Sequence, residues 1–208
     1  MKPMIFISVQ MIRDIGGISS SILNLLNELH NEYDITLCVS GHYISPNVQL
    51  PNDVKVISGS KLIRDAIIDR RMLNNQNLFQ KGRRLMVRFL RRMVGMERII
   101  EWGIQGIKVK GEYDVAIAFA HDRYYKGHLM EGGDYGLVLK NVTAKRKVAW
   151  MHTDLRQEGY DHEVCEKAYR DFDAIVNVSE DNKKLFDSMV PEFANKSFVV
   201  YKDRKSVV

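Results

Sequence analysis

Seven short apolar, β-branched runs alternate with stretches of helical periodicity, and this alternation confines the chain to an α/β architecture. The runs are Met4 to Val9, Ile35 to Val39, Val54 to Ile57, Val115 to Phe119, Lys147 to Met151, Ala174 to Val178 and Ser197 to Tyr201. Between most of them lie helical patterns at Ile18 to His30, Lys61 to Trp102, about Tyr135 to Asn141, about Gln157 to Phe172, and Asp181 to Met189. Continuously apolar strands are buried on both faces, and helical crossovers make neighbouring strands parallel with right-handed connections. The expected fold is a doubly wound parallel sheet, Rossmann-like, forming one domain over residues 1–208 with an inserted helical segment at about 61–110. Such sheets bind ligands beyond the carboxyl ends of their strands. Gly16-Gly17, His121-Asp122 and His152-Thr153 should all emerge on that edge.

A length of 208 residues with 45% hydrophobic content supports one sizeable core. Cys38 and Cys165 stand far apart in a cysteine-poor chain, which points to buried, reduced thiols in a cytoplasmic setting rather than to a disulfide scaffold. The apolar run at the start, Met4 to Val9, is too short for a signal peptide and reads as the first strand. No stretch reaches the roughly 20 apolar residues of a membrane span.

Gly16-Gly17 falls where the first strand gives way to the first helix. Glycines there let backbone N–H groups approach a phosphate or sugar, and the helix dipole adds partial positive charge. Ser19, Ser20 and Ser21 offer an N-cap. The turn is neither Gly-x-Gly-x-x-Gly nor a P-loop with its Lys-Ser/Thr, so an ordinary dinucleotide or nucleoside triphosphate site is not indicated. A tight turn without a ligand explains it equally well at this level.

Charge is concentrated in the inserted segment. From Lys61 to Lys110 thirteen basic residues face four acidic ones, an excess of +9 that leaves −4 for the rest of a chain whose total is +5. On a helical wheel Arg84, Arg88, Arg91 and Arg92 share one sector, with Leu85, Met86, Phe89, Leu90, Met93 and Met96 opposite. A basic amphipathic helix of this kind suits an anionic membrane surface, which assigns those four arginines to the membrane side. The plainer alternative packs the apolar side on the sheet and leaves the arginines solvated. No aromatic platform or recognised motif accompanies the basic patch, so nucleic acid is not the expected partner.

Metal chemistry finds little footing. Asp171-Phe172-Asp173 matches an Asp-x-Asp but joins a helix to a strand, and His162, Glu163, Cys165 and Glu166 follow no zinc spacing. Neither a Gly-x-Ser-x-Gly nor a Cys-His nucleophile pair stands out.

The second half carries more specific patterns. Lys147-Val-Ala-Trp-Met-His-Thr-Asp154 ends a strand with a histidine; Phe172-Asp-Ala-Ile-Val-Asn-Val-Ser-Glu180 follows about twenty residues later, with Ser179 as a helix cap. Taken with Gly16-Gly17, this resembles the amino-terminal, acceptor-side domain of family 4 retaining glycosyltransferases, enzymes of GT-B architecture, and in particular bacterial members that build capsule, cell-wall or other surface polysaccharides. The likeness spans nearly the whole chain and is weakest in the inserted segment.

The resemblance implies a hexosyltransferase that draws on a nucleotide-sugar donor and glycosylates a glycan or lipid-linked acceptor, peripheral at the cytoplasmic face of the plasma membrane. It implies His152 as the catalytic-cleft histidine, Gly16 and Gly17 at the donor diphosphate or acceptor, and Thr153, His121 and Asp122 as further cleft residues. It implies no metal and no other cofactor. The family also has a second, donor-binding domain with a pair of glutamates, which the 208 residues do not contain; a separate chain carrying it is a further expected partner. The family's exit strand continues Tyr-Asn-x-Ile/Val-Asp, whereas here Tyr201 is followed by Lys202-Asp203-Arg204. Two other function classes stay open: a non-catalytic membrane-docking or partner subunit that keeps the fold, and a basic nucleic-acid-binding module.

Overall fold

All seven expected strands form and join one parallel sheet in the order β3-β2-β1-β4-β7-β8-β9. In chain order the elements are β1 (Met4–Val9), α1 (Gly17–Leu29), β2 (Asp34–Val39), β3 (Lys55–Ser58), α2 (Lys61–Ile67), α3 (Leu78–Val94), α4 (Met96–Gln105), β4 (Glu112–Ala118), β5 (Arg123–Tyr125), β6 (His128–Glu131), α5 (Asp134–Asn141), β7 (Thr143–Met151), α6 (His162–Tyr169), β8 (Ala174–Asn177), α7 (Glu180–Met189) and β9 (Ser197–Val199). This computed structural model describes residues 2–68 and 77–201. Asp69, Arg70 and Arg71 of the basic segment, and Lys202-Asp203-Arg204, lie outside the described residues.

Two apolar layers sandwich the sheet. On one face Ile22 and Leu26 of α1 pack on Ile5, Ile7, Leu37 and Phe119; on the other, Ile104, Leu137, Cys165 and Phe186 pack on Phe6, Ala116 and Ile175. Cys38 and Cys165 are fully buried thiols, and burial pushes both up to about 12, so neither presents a thiolate.

The long helical pattern from Lys61 to Trp102 resolves into three helices. Gly95, at a positive φ of 85° that favours glycine, stops α3 and starts α4. Asn77 caps α3 in a reciprocal box with Gln80. The orientation of α3 overturns the plainer reading, in which its apolar side packs on the sheet and its arginines are solvated, and takes Arg84 out of the membrane-facing set. Arg84 is buried and donates to the Ile68 carbonyl, Arg91 donates to the Ala66 carbonyl at 3.1 Å, and Arg83 donates to the buried Asp65 at 2.6 Å. The last carbonyls of α2 lack intrahelical partners, and long guanidinium arms satisfy them. Arg84 therefore serves the fold and not a headgroup, whereas Arg88, Arg91 and Arg92 are exposed, Arg91 while tied to the end of α2. Leu78, Phe79, Leu85, Met86, Phe89 and Met93 face solvent, each more than half exposed.

Candidate functional site at the strand-order switch

From β1 the strand order runs one way to β2 and β3 and the other way to β4 and β7, so the crevice beyond β1 and β4 is the topological switch point. A cavity of about 300 Å³ opens there, lined by Gln10, Gly16 and Gly17 on the β1 side and by His121, Arg123 and Glu158 on the other. Gly16 is the N-cap of α1 at φ 151° and has no side chain to cap it. The neighbouring serines do not cap the helix as expected. Ser19 Oγ accepts from the Arg13 N–H at 2.9 Å, while Ser20 and Ser21 donate back to the carbonyls of Gly16 and Gly17. The helix start thus opens on the cavity through backbone.

Opposite it, two chain segments are locked together. The Tyr124 N–H donates to the Glu158 carbonyl at 2.8 Å, and the Tyr160 hydroxyl donates to the Asp122 carbonyl at 2.9 Å. Gly159, at φ 80°, makes this approach possible: a Cβ there would sit 2.0 Å from the Tyr124 oxygen. The result is a charged cluster at the cavity wall. His121 Nε2 lies 3.8 Å from Glu158 Oε1, Arg123 Nε lies 3.5 Å from Glu158 Oε2, and Arg123 Nη1 lies 4.0 Å from Glu131 Oε2. Burial lowers the His121 pKa against the opposing pull of Glu158, which keeps the imidazole neutral near pH 7.

Gly16, Gly17 and His121 are brought together; His152, Thr153 and Asp122 do not line this cavity. His152 sits at the end of β7, one strand beyond the switch, its ring stacked with Trp150 at 6.2 Å and tilted against Phe119 at 4.6 Å. The Thr153 carbonyl accepts from Asn182 of α7 at 3.4 Å. Asp122 is buried, its Oδ1 accepting from the Gly133 N–H at 2.6 Å at the start of α5, and burial pushes its carboxyl up to about 8. It is a support beneath the site. Ser179 caps α7 by accepting from the Asn182 N–H at 3.2 Å, matching the sequence reading.

Arg123, Glu131 and Glu158 escaped the sequence reading because they belong to the β5–β6 hairpin and an irregular turn. The hairpin did have a signal: Lys126-Gly127, both at positive φ, is the two-residue turn that right-twisted strands prefer. Among the described residues no group of three or more His, Cys, Asp or Glu side chains is placed to hold a metal ion.

A further concavity adjoins the cavity, and another adjoins that one in turn. A groove of about 1310 Å³ between α4 and the β5–β6 hairpin shares Arg123 and Glu131 with it. A pocket of about 590 Å³ between the end of α2 and α3 shares Ala66, Ile67 and Arg91 with that groove.

No protein-family model and no curated protein matches the chain. Among solved structures, Anabaena HepE in complex with UDP-glucose is similar at a TM-score of 0.45 and 11% sequence identity, over 95% of this chain and 43% of that one. The 208 residues thus span less than half the length of that protein.

Proposed function

We propose that the chain is the acceptor-side half of a retaining glycosyltransferase that moves a hexose from a nucleotide-sugar donor to a glycan or lipid-linked acceptor in capsule or cell-wall polysaccharide synthesis. The observation that carries the reading is the meeting of Gly16-Gly17 with His121 and Arg123 in one cavity at the strand-order switch. Backbone at the start of α1 and the Arg123 guanidinium suit a phosphate or sugar oxygen. A neutral imidazole backed by Glu158 suits an acceptor hydroxyl, which it can orient and relieve of its proton. In this reading His121 takes the role that the resemblance gave to His152. The leaving diphosphate is stabilised by preorganised donors, the nucleotide sugar is a substrate, and no metal or other cofactor is called for. The donor-binding wall would come from a further domain or a separate chain.

No helix among the described residues is long and apolar enough to cross a membrane. The solvent-facing apolar side of α3 supports peripheral attachment at the cytoplasmic membrane face instead. The same face favours one second reading, a non-catalytic membrane-docking subunit of this fold. Deleting the gene and comparing lipid extracts by mass spectrometry separates the two. The enzyme reading expects a glycolipid to disappear and its precursor, one sugar shorter, to accumulate, with rescue by the wild-type gene and not by His121→Ala. Loss of attachment without a shortened precursor would contradict it.

A further inference from the structure

The groove between α4 and the β5–β6 hairpin holds about 1310 Å³ and runs into the switch-point cavity through Arg123 and Glu131. That exceeds the roughly 300–1,000 Å³ that houses a drug-sized molecule. Its lining is wet rather than apolar: arginines and glutamates are interspersed, with the exposed ring of Tyr125 among them. An open cleft of this size and lining suits an extended, hydroxyl-rich chain, whose hydroxyls exchange hydrogen bonds with charged groups and whose ring faces rest on an aromatic side chain.

The charges in the groove are not equivalent. Glu97 lies 3.8 Å from His128 and 3.9 Å from Lys167, Glu101 lies 3.1 Å from Lys140, and Glu131 lies 4.0 Å from Arg123. Each of these carboxylates thus has a basic neighbour within the protein. Arg98 on α4 and Arg156 in the turn after β7 are exposed and pair with no carboxylate among the described residues. A guanidinium presents a planar fork of donors that a carboxylate fills. Two such forks on separate elements suit single negative charges spaced along a chain better than one phosphate, which draws its arginines into a cluster.

We propose that this groove binds an acidic sugar chain, one carrying uronate-type carboxylates, with Arg98 and Arg156 on its charges, Tyr125 on a ring face and its growing end in the cavity at His121. The acceptor is then an existing chain of several sugars, which the protein lengthens rather than begins. This rests on the reading of the protein as an acceptor-side half. It narrows the acceptor from glycans at large to one chemical class.

Titration calorimetry of the full protein at fixed ionic strength tests it with four probes: hexagalacturonate, maltohexaose, galacturonic acid and hexaglutamate. Hexagalacturonate should bind saturably, and the other three weaker by roughly tenfold or more. Arg98→Gln combined with Arg156→Gln should weaken hexagalacturonate by roughly tenfold or more, and Tyr125→Ala by roughly threefold or more, with melting at wild-type levels because all three side chains are exposed. Lys108→Gln combined with Lys110→Gln removes the same charge from exposed positions outside the groove and should leave binding unchanged. Absence of hexagalacturonate binding overturns the proposal on wild-type protein without recourse to variants. Maltohexaose binding as tightly overturns the need for acid, hexaglutamate the need for sugar, and the monomer the need for a chain. An arginine variant no weaker than the lysine variant overturns the groove as the site. Probe binding as expected with no sugar transfer from any donor would remove the glycosyltransferase reading and leave the groove standing; transfer to single sugars as readily as to chains, without hexagalacturonate binding, would do the reverse.

Discussion

His121 and Glu158, from loops after two adjacent strands, meet at 3.8 Å across the wall of the switch-point cavity. Their meeting depends on Gly159, whose backbone passes against the Tyr124 carbonyl. Gly159→Ala should therefore cost on the order of 1–3 kcal/mol through the positive φ alone, with the clash in addition. It should also part His121 from Glu158. The checks are urea unfolding and the histidine ring signals in NMR; an alanine variant of unchanged stability and unchanged His121 signals would contradict the packing described.

Asp122 gives the stability a distinctive pH dependence. Its folded carboxyl, pushed by burial up to about 8, holds a proton that the unfolded chain, near the ordinary value of 3.8, has released. The folded state then binds more protons, so stability falls as pH rises, by at most about 1.4 kcal/mol per pH unit. Asp134, raised to about 6 by burial, acts with the same sign at lower pH, while the lowered values of His42 and His121 act with the opposite sign below about 6.5. Between about pH 6.5 and 8 the Asp122 contribution remains. Asp122→Asn keeps an acceptor for the Gly133 N–H and should flatten that window in urea-unfolding series. A slope equal to wild type would show that the buried carboxyl is already ionised.

Burial makes opposite predictions for two arginines one turn apart on α3. Arg84→Glu places an acid against the Ile68 carbonyl in a buried site and should lower stability by roughly 3–5 kcal/mol. Arg88→Glu should leave unfolding within about 0.5 kcal/mol of wild type and reduce sedimentation with anionic vesicles, the more so at low salt. Thermal melts and vesicle sedimentation read both. Equal stability losses at the two positions would mean that the helix is turned the other way.

The sheet was legible because runs such as Val115 to Phe119 are apolar at every position, a pattern that only a strand covered on both faces tolerates. The wheel of α3 was legible too, yet its direction was not. A hydrophobic pattern separates two faces without saying which one the domain uses, and here buried Asp65 and the open carbonyls of α2 recruit the arginines. His152 attracted attention through the motif around it, while His121 stood beside an unremarkable strand end. What distinguishes them is strand order: β4 borders the switch and β7 lies one strand farther out. Arg123 and Glu158 reach the cavity only through long-range contacts, which no local spacing encodes.

The central claim is that the switch-point cavity brings an acceptor hydroxyl to a donor sugar. The most direct measurement incubates the native protein, with any donor-binding domain or partner chain that accompanies it, with host membrane lipids and a panel of radiolabelled nucleotide sugars. Label should pass from one donor into the lipid-extractable fraction, with the anomeric configuration of the donor retained. His121→Gln should lower kcat by roughly 10² to 10⁴ while vesicle binding and melting stay at wild-type levels. Absence of transfer from every donor by folded, vesicle-bound protein, or a His121→Gln variant as active as wild type, would contradict the account.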